Sequence, residues 1–214
     1  EFAGTLGESF DAISEFDFLQ VRPMVKEEGT LDLQLENIPP ENVLLWSDMV
    51  LGNGLYKLRD IVYVKSENFD SAKTQDMAND ISEINSRLVA SHTPYLLMGP
   101  GRWGSADPWL GIPVRFTAIA GAHAIVETSL PNMLPDPSQG SHFFQNLTSF
   151  HISYFTTRHY NEKHAIDWAW LDAQEVISET NWVRHIRLPE PLEIRVDGQS
   201  GEGVILKRQP AALV

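Results

Sequence analysis

Tyr95-Leu-Leu-Met-Gly-Pro-Gly-Arg-Trp-Gly-Ser-Ala-Asp-Pro-Trp-Leu-Gly-Ile-Pro113 begins as an apolar run and stops abruptly in a loop crowded with Gly, Pro, Arg and Trp. Residues 95–98 have the length and composition of a short buried strand, and Gly99, Gly101, Gly104 and Gly111 then allow turns that other residues resist. A loop at the carboxyl end of a strand is a common ligand position. Arg102 suits a two-pronged grip on a carboxylate or phosphate, with Ser105 and free backbone amides beside it, while Trp103 and Trp109 are placed to exclude water. An Arg packed on Trp in a rigid structural loop has the same sequence. The stretch does not end in glycine-lysine-serine/threonine, so it is not a P-loop.

Working towards the amino terminus, His92-Thr93-Pro94 ends a helix that Asp70 or Ser71 caps. Met77, Ile81, Ile84 and Leu88 fall on one stripe of that helix, with Asp76, Asp80, Glu83 and Arg87 mostly elsewhere, so the stripe reads as core. Ahead of it, residues 31–35, 43–50 and 60–65 read as strands of an antiparallel meander, broken by Pro39-Pro40 and Gly52-Asn53-Gly54. Residues 15–24 alternate apolar and polar side chains until Pro23, as a half-buried strand does, with Gln20 and Arg22 on one face.

Towards the carboxyl terminus, residues 121–129 read as another strand, followed by a stiff loop holding Pro131, Pro135 and Pro137. Asp136 or Ser138 caps the next helix, over 139–150, where Phe143, Leu147 and Phe150 recur at core spacing. His142 lies in its first turn, where the positive helix end favours an anion and the ring could donate or accept a proton; a capping or surface histidine has the same sequence. Residues 151–157 and 165–171 read as strands, 173–178 as a short helix, and 182–188, 192–196 and 204–208 as further strands. His151, His159 and His164 lack the spacing of a metal site.

Composition bounds the rest. The chain has 214 residues, 43% of them hydrophobic, enough for one ample domain or one with an appendage. A net charge of −13 repels phosphate from all but local basic spots, which argues against broad nucleic-acid or anionic-membrane surfaces. With no cysteine there is neither disulfide nor thiolate chemistry, and no apolar run is long enough to span a bilayer; a cytoplasmic location is the expectation.

Glu1-Phe2-Ala3 followed by Leu19-Gln20-Val21-Arg22-Pro23 resembles the end of the ATP-grasp domain of phosphoenolpyruvate synthases and pyruvate phosphate dikinases. That resemblance implies that Glu1 and Gln20 help hold Mg on the nucleotide phosphates and that Arg22 contacts the phosphates themselves, chemistry suited to a hard cation and a fixed guanidinium. Gly99-Pro100-Gly101-Arg102-Trp103-Gly104-Ser105, Asp107-Pro108-Trp109-Leu110-Gly111-Ile112-Pro113 and the run from Asp136 through His142 to Leu147 resemble the C-terminal region of bacterial phosphoenolpyruvate-synthase-like proteins. The likeness spans nearly the whole chain, yet the chain lacks a Thr-Cys-His-type carrier segment, a (β/α)₈ barrel and the glycine-rich nucleotide loop.

The expected architecture is therefore α/β (α+β), a mixed β-sheet with packed helices, preceded by a strand from an ATP-grasp domain. Residues 1–25 form the tail of the nucleotide-binding domain, and 26–214 a C-terminal mixed α/β domain. The resemblance implies a fragment of an ATP-dependent phosphotransferase that is inactive alone, and the residues themselves point to an acceptor or anion site built from Gly101, Arg102, Trp103, Ser105, Asp136, Ser138 and His142. The alternative is a regulatory or structural module binding an anionic metabolite. ATP and Mg belong to the full-length protein, with no cofactor expected for the fragment. The expected partners are the N-terminal ATP-grasp domain, a small anionic metabolite and, left open, a second copy of the chain; nucleic acid and membrane are not among them.

Overall fold

The computed structural model of the chain describes residues 2–5, 15–18, 38–134, 147 and 149–207. Glu1, Gln20, Arg22, Asp136, Ser138 and His142 lie outside the described residues, as do the strand expected over 31–35 and most of the helix expected over 139–150. The class is α+β, dominated by strands, with few helices. Strands β1 (Phe2–Thr5) and β2 (Glu15–Phe18) pair antiparallel, and among the described residues only with each other.

Among the described residues the main sheet has nine strands. Its centre is parallel: β5 (Asn53–Val64), β6 (Tyr95–Pro100), β9 (Ala122–Thr128) and β10 (Ser153–Thr157) lie side by side in that order. Every residue of β6 is buried, as expected of a parallel strand covered on both faces. On the far side of β5 the sheet turns antiparallel through β12 (Val183–Asp197), β13 (Glu202–Leu206) and β3 (Val43–Ser47). Beyond β10 comes β4 (Val50–Leu51), and β11 (Val176–Glu179) pairs with the first half of β12.

The strands at the two ends of this order, β3 and β4, are consecutive in the chain, so the sheet must curl to bring its edges together. Polar bonds join them: the Ser47 hydroxyl donates to the Thr156 carbonyl (2.6 Å), and the Met49 carbonyl accepts from Thr156 N (2.9 Å). One apolar cluster, including Leu45, Ile61, Met98, Val126, Phe155 and Ile194, draws on strands from both edges and fills the inside of the curl. Helix α2 (Trp168–Asp172) closes it with Leu171. The opposite face carries α1 (Thr74–Ala90), whose Met77, Ile81, Ile84 and Leu88 pack on Val62, Tyr95, Leu97 and Ile125.

The helix expected from the 70s to His92 is present, with Asp70 accepting from Ala72 N at 2.9 Å in the 3₁₀ turn that leads into it. Other expectations fail for identifiable reasons. Between the two described strands the meander does not form: β3 pairs with β13 and β5 with β12, whose apolar residues come from the other end of the chain, and β5 also with β6. The strand expected over 165–171 is helix from Trp168, because the Asp167 carboxylate caps it by accepting from Trp170 N at 3.0 Å. The helix expected over 173–178 gives way to strand β11, hydrogen-bonded to β12. The two strands expected over 182–188 and 192–196 are one long strand with a register shift between Arg187 and Leu192, where Pro189 and Pro191 cannot donate to the ladder. Among the described residues no helix is long and apolar enough to cross a membrane.

Candidate functional site

The parallel strands β5, β6, β9 and β10 end at one edge of the sheet, and the glycine-rich loop after β6 leaves from there. Gly101 turns it with a φ of +72°, and its amide donates to the Thr128 carbonyl (2.9 Å) at the end of β9. A two-residue strand, β7 (Arg102–Trp103), then runs parallel to β8 (Gly111–Ile112). The contact is so close that a Cβ on Gly111 would lie 1.9 Å from the Arg102 carbonyl oxygen, so only glycine serves there. This backbone clamp fixes the base of Arg102, whose side chain is half-buried.

Beneath it sits Glu127, a carboxylate buried in β9 to 4% exposure. Its Oε1 accepts from Trp103 N at 2.9 Å, and its Oε2 accepts from the Tyr154 hydroxyl. The Trp103 indole donates to the Val126 carbonyl (3.1 Å) and packs against Gly99, where a Cβ would meet the ring at 2.7 Å. Trp103 is thus core, 1% exposed, and holds the loop against β9, whereas Trp109 is 76% exposed. The Ser105 hydroxyl is used within its own turn, accepting from Asp107 N (3.2 Å) and donating to Asp107 O (3.1 Å).

At the neighbouring strand ends, Ser129 Oγ accepts from His159 N and lies 3.0 Å from His159 Nδ1. The hydroxyls of Thr156 and Thr157 are shielded from solvent and have no hydrogen-bond partner among the described residues. The edge therefore offers a guanidinium on a fixed base, a buried carboxylate bonded to a phenol, and hydroxyls able to donate to an oxyanion. Among the described residues no group of three or more His, Asp or Glu is arranged to hold a metal ion.

Of the site residues read from sequence, Gly101, Arg102, Trp103 and Ser105 share this loop, with Gly101 and Trp103 supporting it rather than lining it. Asp136, Ser138 and His142 follow β9 but lie outside the described residues, as do Glu1, Gln20 and Arg22. Glu127, Tyr154 and the Ser129–His159 pair were not singled out from the sequence. A signal for Glu127 existed: it is the one acid in the otherwise apolar-to-neutral strand Ala-His-Ala-Ile-Val-Glu-Thr, in register with the buried Ile125. Comparison of the chain with protein-family models, with curated proteins and with solved structures gave no match.

Proposed function

We propose that this edge binds a small anionic metabolite through Arg102, and that the chain is the C-terminal part of a phosphoenolpyruvate-synthase-like, ATP-dependent phosphotransferase to which the edge supplies an acceptor or anion site. The observation that carries the binding reading is the parallel pairing of β6 with β9, Leu97 opposite Ile125 and Met98 opposite Val126. Parallel neighbours discharge their following segments at the same edge, so the Arg102 loop and the segment towards Asp136, Ser138 and His142 start side by side. An antiparallel pair would have sent them to opposite ends. In this reading the guanidinium supplies the charge, and Asp136, Ser138 and His142 are the residues expected to complete the site.

Titration calorimetry with phosphoenolpyruvate and with inorganic phosphate tests the binding. Arg102→Ala is expected to weaken it by roughly 1.5–3 kcal/mol, the range for a charged hydrogen bond, with little loss of folding stability. Unchanged affinity would leave the loop a structural clamp. The phosphotransferase reading assigns ATP and Mg to Glu1, Gln20 and Arg22 together with a preceding ATP-grasp domain. The 214-residue chain alone is therefore expected neither to hydrolyse ATP nor to form phosphoenolpyruvate above background. Turnover by the purified chain, abolished by changing one of its own residues, refutes that assignment.

A further inference from the structure

A separate cavity of about 220 Å³ lies on the α1 face, away from the carboxyl edge, between the last turns of α1 and the β11–β12 ribbon. We propose that it is a binding site for a small organic acid, its oxyanion head held by Arg87, Arg187 and His185 and its apolar body resting on Ile84, Leu88 and Ile177.

The head site is preorganised from behind. Asp60, 2% exposed on β5, accepts from Arg187 Nε with both carboxylate oxygens at 3.1 Å, and its Oδ1 lies 2.8 Å from His185 Nε2. One buried carboxylate thus fixes the orientation of two cationic or cationisable side chains while using only one nitrogen of each. The Arg187 Nη atoms and His185 Nδ1 make no hydrogen bond among the described residues, and both side chains line the cavity. Arg87 lines it from the helix and forms no ion pair among the described residues.

Ser178, directly opposite His185 in the β11–β12 register, also lines the cavity. Its hydroxyl is shut off from solvent and has no hydrogen-bond partner among the described residues, a cost that a bound acceptor would remove. Two arginines against one carboxylate leave the head site net positive before any proton on His185 is counted. In a chain of net charge −13 that is a local exception, and it selects anions.

The carboxyl end of α1 would oppose an anion, but its carbonyls are occupied: Arg87 O accepts from Ser91 N (3.1 Å) and Leu88 O from Thr93 N (2.9 Å). The groove is braced at its other end, where the Thr180 hydroxyl of the β11–β12 turn donates to Asp80 of α1 at 2.6 Å. Its volume suits a carboxylate with a few carbons. Pockets for larger ligands run from roughly 300 Å³ upwards.

The test is an amide and imidazole NMR titration of the 214-residue chain with sodium acetate, butyrate and hexanoate at matched ionic strength. Saturable shifts centred on Ile177, Ser178 and His185 are expected, with affinity rising from acetate to hexanoate. Arg87→Ala removes no side-chain hydrogen bond or ion pair among the described residues and is expected to weaken hexanoate roughly tenfold, as loss of a charged hydrogen bond does. Arg102→Ala is expected to leave hexanoate affinity unchanged, which separates this site from the carboxyl edge. Absence of saturable shifts with all three acids overturns the proposal. So does an affinity that climbs with chain length but ignores Arg87→Ala, since that would mark a bare apolar surface.

Discussion

Asp60 shows how one residue is settled by competing physical terms. Burial in the sheet pushes its carboxyl up, but the hydrogen bonds from His185 and Arg187, with the charge of both, outweigh burial and hold it below the ordinary carboxylate value. A carboxylate depressed in the folded state contributes stability that is complete above its unfolded value, near 3.9, and is lost as pH falls through the lower folded value. Asp60→Asn is therefore expected to cost about 3 kcal/mol near neutral pH, the low end for breaking a buried pair because Arg187 is half exposed. Urea melts at pH 5 and 3 check this: the gap between wild type and variant should shrink at the lower pH. A gap that widens at pH 3 contradicts the assigned direction. None of this was visible in the sequence, where Asp60 opens an apolar run and His185 and Arg187 stand more than a hundred positions away.

Among the elements, what could be read in advance depended on how local its cause was. Helix α1 was legible because its apolar stripe and the Asp70-capped turn that leads into it are both contained in one short stretch. The buried strand β6 and the turn that follows were legible for the same reason. The segment before α2 misled because Trp168 and Trp170 alternate like strand residues, while its decisive feature is a single side chain. Asp167 accepts from Trp170 N with one oxygen and from Lys207 Nζ, 2.6 Å away, with the other. The lysine hydrogen bond is the main reason its carboxyl sits below the usual range. Asp167→Ala is thus expected to fray α2 and cost about 1 kcal/mol, as loss of a helix cap does. Hydrogen exchange of the Trp170 and Leu171 amides is the readout, and protection equal to wild type would show that packing of Leu171 alone holds the helix. At the candidate site, the glycine loop and Arg102 were legible from composition, whereas Tyr154 and His159 meet it only because β10 pairs in parallel with β9.

The whole molecule depends on pairings between distant parts of the chain. β12 lies against β5 along most of its length, β13 lies on β12, and β3 joins the sheet through β13. The interior cluster draws Leu44 and Leu45 from β3, Ile194 and Val196 from β12 and Ile205 from β13 into contact with the parallel centre. The last described strand is therefore a structural bridge. If it is removed, β3 loses its ladder, the curl opens beside Val50, and the apolar face of Leu44, Leu45 and Phe155 meets water. Gly203 shows how tightly the bridge fits, since a Cβ there would lie 2.7 Å from the Phe155 ring and 2.9 Å from Val50. Exposing several fully buried apolar side chains at roughly 1.5–3 kcal/mol each is comparable with the whole 5–15 kcal/mol that ordinarily separates folded from unfolded protein. Truncation after Ser200 is accordingly expected to abolish cooperative unfolding, not merely to lower the midpoint, while leaving the local helical signal of α1 in part. Thermal melting followed by circular dichroism, alongside dispersion in a proton–nitrogen correlation spectrum, decides the matter. A truncated chain that melts cooperatively with dispersed β-sheet resonances would mean that the parallel centre and α1 fold without the curl being closed.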